Sequence, residues 1–187
     1  MMRRINAWIS AAVIALFLFH MISGMLILMG LMKGGNPVRS ACSLLLAVFA
    51  SVHAVIGVIL TADTLRLQKK SGAVYFRGNE LFYVRRLSGG ALMILIIWHV
   101  LVFRTSQAAP VRLRAFEVPQ LIGSILMMAA LFVHILSNIR PLMIGFGVSG
   151  GRTILKDVLC ILAAALFVAA AAFIVYYLRW NVLWRPK

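Results

Sequence analysis

The sequence predicts an all-α integral membrane protein, a bundle of five transmembrane helices forming one domain. Three observations carry that prediction. Apolar runs recur along the whole chain, and each is near the length of about 20 mostly apolar residues that a spanning helix needs. The 187 residues are 63% hydrophobic, with a mean hydropathy of +1.00. The 19 Lys and Arg and the four acids, Asp63, Glu80, Glu117 and Asp157, lie between the runs or near their ends. This composition excludes a soluble enzyme.

Helix one, about residues 8–31, follows a short basic start, Met1 to Arg4. A signal peptide has the same order of charge and apolarity, but its apolar core is about half as long and ends at a small-residue cleavage site. The turn signal Lys33-Gly-Gly-Asn-Pro37 comes next, and helix two covers about 41–62. The segment 63–86 sets Arg66, Lys69, Lys70, Arg77, Arg85 and Arg86 against Asp63 and Glu80. It is too charged for lipid and is expected as a cytoplasmic loop, free to contact something outside the membrane. Helix three covers about 87–103. Helix four covers about 118–139, and Pro141 is expected to stop it. Gly145, Gly147, Gly150 and Gly151 mark the next loop, and helix five covers about 154–178. Tyr176, Tyr177, Trp180 and Trp184 at its end suit an interfacial aromatic belt.

A formal net charge of +15 would suggest nucleic acid in a soluble domain. Here the cations flank apolar spans, where they meet anionic headgroups, so membrane lipid is the expected partner and nucleic acid is not. Five spans put the termini on opposite sides. With the N-terminus in the cytoplasm, eleven of the 19 basic residues fall on the inner side, so the positive-inside bias favours that orientation. No acid lies mid-span, which argues against an ion-coupled transporter. Cys42 and Cys160 fall near opposite faces and are read as small buried hydrophobes.

The four histidines fall one each on helices one to four: His20, His53, His99 and His134. In hydrocarbon an imidazole needs a partner. At about 1.5 Å of rise per residue, His20 is about 24 Å from Arg4 and His99 about 20 Å from Arg86, in the outer half; His53 is about 15 Å from Asp63 and His134 about 9 Å from Arg140, in the inner half. Two pairs follow, His20 with His99 and His53 with His134. A bis-histidine haem needs two imidazoles from different helices at one depth, and this arrangement offers two such sites stacked across the membrane; the other reading of each ring is a hydrogen-bonded interior histidine. Gly24 and Gly57, each four residues after a histidine, leave room for a porphyrin edge or for close helix packing. Zinc fits less well, because four ligands at two depths do not converge on one tetrahedral ion. Propionates need cations or hydrogen-bond donors. Arg85, Arg86, Ser88 and Asn138 are candidates for the inner haem, and Lys33, Arg39, Arg104 and Arg112 for the outer.

Read together, HAVIGV, YFRG, RRLSGG, WHV and FVHILSN resemble the dihaem cytochrome b subunit of succinate dehydrogenases and fumarate reductases, of the single-anchor, five-helix type. The likeness covers about 53–151 well and helix one loosely. It implies two haems b, the outer on helices one and three and the inner on helices two and four. It also implies the cell inner (cytoplasmic) membrane with a cytoplasmic N-terminus, an iron-sulfur subunit docked on the cytoplasmic face, and an FAD flavoprotein subunit beyond it. The chain would then carry electrons between the iron-sulfur clusters and a quinone, menaquinone being favoured, while dicarboxylate chemistry stays on the partners. Glu117, the only carboxylate on the outer side, is a quinone-site candidate; its other reading is a helix N-terminal charge favoured by the dipole. The chain departs from some members in having no carboxylate beside the histidine of helix four. The direction of catalysis and a dimer of complexes stay open.

Two other readings compete. One is a dihaem subunit of a hydrogenase, formate dehydrogenase or nitrate reductase, where two histidines often share a helix, as none do here. The other is a haem-free scaffold or transporter.

Overall fold

The computed structural model describes residues 2–72, 79–104, 115–148 and 152–184. Among them the chain forms α1 (Met2–Leu28), α2 (Pro37–Ser71), α3 (Glu80–Arg104), α4 (Val118–Gly145) and α5 (Arg152–Leu178), with a π-helical turn over Arg179–Trp184. All five helices are long and apolar enough to cross a membrane, so the chain is a multi-pass membrane protein.

The helix ends differ from the sequence expectation, each for a physical reason. α1 starts at Met2 and ends at Leu28, where Gly30 turns left-handed (φ 79°) and the Leu31 and Met32 N–H groups return to the Leu26 carbonyl at 2.8 and 3.1 Å. Arg179 Nη1 donates to the Leu28 carbonyl at 2.7 Å. α2 starts where the Asn36 side chain accepts from the Val38 and Arg39 N–H groups at 2.9 and 3.2 Å, with Pro37 in its first turn. Its 35 residues span about 52 Å, well beyond the roughly 30 Å of hydrocarbon.

The segment 63–86, expected as a loop, is therefore mostly helix: α2 runs on to Ser71 and α3 begins at Glu80. Charge keeps these residues out of lipid but does not keep them out of a helix that projects past it. Lys69 and Lys70 suit the carbonyl end of α2, and Glu80 suits the N–H end of α3. Arg77 lies outside the described residues.

α4 is a second correction, because Pro141 lies inside the helix, which continues to Gly145. A proline leaves the carbonyl four residues back without its donor. That carbonyl, on Ser137, accepts from Arg85 Nε at 2.8 Å, so the helix continues without an orphan there.

The helices pack as two antiparallel hairpins, α1 with α2 and α3 with α4. They face each other as the halves of a four-helix bundle, meeting lightly along α2–α3 and α1–α4, while α5 covers α4 and α1. The diagonal pairs, α1–α3 and α2–α4, make no close backbone approach. Most buried apolar residues belong to a cluster centred on α4 and α5, including Met128, Ile135, Leu166, Phe173 and Tyr176. α2 has no buried residue, and Leu44, Val48, Val55 and Val58 on it point outward, as lipid-facing side chains do. Cys42 is half-buried and Cys160 exposed, which corrects their reading as buried side chains. Cys160 stands on the outward side of α5 beside Ile161 and needs no burial in a lipid solvent.

Candidate functional site: two histidine couples across the bundle

All four histidines point into the slot between the hairpins, and they meet in twos along its diagonals. His20 of α1 faces His99 of α3 with ring centroids 6.3 Å apart and planes at 80°. His53 of α2 faces His134 of α4 at 6.3 Å and 83°. We call His53–His134 the near couple, since it lies toward the end of the bundle that holds the N-terminus, and His20–His99 the far couple.

Serines hold three of the four rings. Ser10 Oγ lies 3.2 Å from His53 Nδ1, Ser43 Oγ 3.0 Å from His20 Nδ1, and Ser88 Oγ 3.2 Å from His134 Nδ1. Each serine also donates its one hydrogen to a carbonyl of its own helix: Ser10 to Asn6 at 2.7 Å, Ser43 to Arg39 at 2.9 Å and Ser88 to Arg85 at 3.2 Å. A hydroxyl that gives its one hydrogen to the carbonyl acts as an acceptor toward the ring. In that arrangement Nδ1 carries the proton and the lone pair is on Nε2. A metal-binding histidine needs that tautomer, with its second nitrogen donating to a neighbour.

The fourth ring differs. From Ser10–His53 to Ser43–His20, ten residues along α1 match ten back along α2. On the second hairpin Gly123 of α4 packs against Trp98, where a Cβ would stand 2.5–2.9 Å from the ring carbons. His99 Nδ1 is buried with no hydrogen-bond partner among the described residues. Ser10 and Ser43 are orienting residues that sequence reasoning missed; matching depths across the first hairpin would have found them.

The couples fit one ligand class well. Twice a metal–nitrogen bond of about 2.0–2.1 Å, plus twice the roughly 1.15 Å from nitrogen to ring centre, separates two imidazoles on one ion by about 6.4 Å. Edge-to-face aromatic packing covers the same range. Among the described residues no three His, Cys, Asp or Glu side chains converge, so each couple offers two protein ligands. That donor set suits a metal whose other positions are filled by a macrocycle. A Cβ at Gly24 would meet nothing within 4 Å, and one at Gly57 only Arg86 Nη1 at 3.8 Å, so close helix packing does not require either glycine. At Gly89, by contrast, a Cβ would press on His134 Cε1 at 3.3 Å.

Compared with known protein families, curated proteins and solved structures, the chain matches none.

The propionate candidates separate. Arg86 Nε is buried without a partner among the described residues, its guanidinium lies 5.1 Å from the Phe82 ring centroid, and Nη1 points toward Gly57, one turn from His53. Arg85 is turned to the Ser137 carbonyl, Ser88 to the His134 ring, and Asn138 to the His134 carbonyl at 2.8 Å. Arg39 donates to the Lys33 carbonyl at 2.5 Å, and Lys33 lies in the same turn. Arg112 and the Arg104 side chain lie outside the described residues. Glu117 is the N-cap of α4, and its N–H donates to Gln120 Oε1 at 3.1 Å. An aromatic series links it to the far couple: His99 to Phe103 at 4.8 Å, Phe103 to Phe116 at 6.0 Å, and Phe116 to Tyr176 at 5.0 Å.

Proposed function

We propose that this chain is the dihaem cytochrome b subunit that anchors a succinate:quinone or quinol:fumarate oxidoreductase and relays electrons between its iron-sulfur subunit and membrane quinone. The observation that carries the reading is the pair of diagonal imidazole couples, three of whose rings have Nδ1 engaged by serine. Bound there, haem b would supply one-electron storage at two depths, tuned by ligand identity, burial and propionate charge.

The residues divide the work. His53 and His134 would hold the near haem, with Arg86 set to take a propionate; His20 and His99 would hold the far one. Ser10, Ser43 and Ser88 would fix ring rotation, and the diagonal helices, α1–α3 and α2–α4, make no close backbone approach. The projecting end of α2, with Arg66, Lys69 and Lys70, suits the iron-sulfur subunit on the cytoplasmic face, and the FAD subunit lies beyond it. Menaquinone is the favoured quinone.

Co-purification tests the enzyme class. A flavoprotein and an iron-sulfur protein are expected to accompany the tagged chain; a molybdenum or nickel subunit instead would reassign it to a formate dehydrogenase, nitrate reductase or hydrogenase. Glu117, close to the aromatic series, is proposed at the quinone site. Glu117→Gln is then expected to lower quinone turnover by on the order of tenfold or more and to alter its pH profile; an unchanged profile removes Glu117 from that role.

A further inference from the structure

Pro141 has no N–H for the carbonyl of Ser137, yet α4 passes through it. In a membrane, a freed carbonyl needs another donor. This one comes from a different helix, Arg85 of α3, whose Nε donates at 2.8 Å. The same arginine's own carbonyl accepts from Ser88 at 3.2 Å, and Ser88 Oγ lies 3.2 Å from His134 Nδ1. Ser137 Oγ and Asn138 Nδ2 both donate to the His134 carbonyl, at 3.1 and 2.8 Å. One turn of α3 and one turn of α4 are thereby stitched together around a single imidazole. An ordinary residue at 141 would use the Ser137 carbonyl within α4 and leave Arg85 nothing to hold.

We propose that Pro141 and Arg85 act as a pair. The proline vacates the Ser137 carbonyl, and Arg85 fills it, so that the turn of α4 that aims His134 keeps its shape. Arg85 is thus a positioning residue for the near couple, while its neighbour Arg86, with an unpartnered Nε, serves the site's charge. The inference rests on reading the couple as haem ligands.

A mutant cycle on the full chain tests it: wild type, R85A, P141A and R85A/P141A, each measured for near-haem retention in detergent, both midpoint potentials and thermal unfolding. R85A is expected to lose near haem on the order of tenfold faster than wild type, because the Ser137 carbonyl is left without a donor. Restoring an N–H at position 141 in R85A/P141A should bring retention back to within about twofold of wild type. The near potential should nevertheless stay below that of P141A, since the guanidinium charge is still missing, and the far potential should not move. Equal loss in R85A and R85A/P141A, or wild-type retention in R85A, overturns the pairing. If even the wild type carries no haem, the haem reading fails, and the unfolding temperatures alone judge the pair: rescue of R85A by P141A supports it and no rescue overturns it.

Discussion

Replacing His20 or His99 with alanine is expected to abolish one and the same b-type haem and to leave the other spectrally intact. Replacing His53 or His134 should abolish the second. The couples share no residue and lie on different diagonals, so a lost imidazole deprives one site of an axial ligand without touching the other. The effect should be close to complete, because each couple offers only two protein ligands. Reduced-minus-oxidised spectra with redox titration of the four variants check it. Four variants that each lose half of a shared signal, or pair in any other way, would contradict the assignment.

The serines should produce a graded version of the same loss. Removing a hydroxyl that engages Nδ1 frees the ring to rotate, and loss of such an outer partner typically weakens metal binding about 10–100-fold. The partners of the rings predict an order among the three. In the near couple both rings are held, so Ser10→Ala or Ser88→Ala leaves one ring oriented. In the far couple only His20 is held, because His99 Nδ1 has no partner among the described residues, and Ser43→Ala leaves neither ring oriented. Ser43→Ala should therefore deplete the far haem more than either other variant depletes the near one, and the double Ser10→Ala/Ser88→Ala should match it. Haem dissociation rates in detergent measure this; equal and small effects in all three would remove the serines from the site.

The spans themselves were legible in the chain, since twenty apolar residues in lipid leave the backbone little choice but a helix. The pairing of the histidines was legible because the rise per residue is fixed, so positions along neighbouring helices give their levels relative to one another. The helix ends were not. Asp63 to Ser71 carries the composition of a loop because it stands in water, yet it continues α2. Pro141 has the composition of a stop, yet its freed carbonyl is met by Arg85, a residue 52 positions away, and no local pattern shows that. Ser10 and Ser43 are single common residues whose role exists only once α1 and α2 are in register. The separate duties of Arg85 and Arg86 were equally hidden, because adjacent arginines read alike until α4 is packed beside one of them.

The most direct test of the account is to oxidise the purified protein, quantify its protohaem and record its low-temperature EPR spectrum on the same sample. Two haems b per chain are predicted, both low-spin ferric with two imidazole ligands. Near-perpendicular ring planes, as at 80° and 83° here, bring the iron's two π-type orbitals close in energy and should give strongly anisotropic g-values. A colourless protein, a single haem, or high-spin iron lacking a second histidine would contradict it.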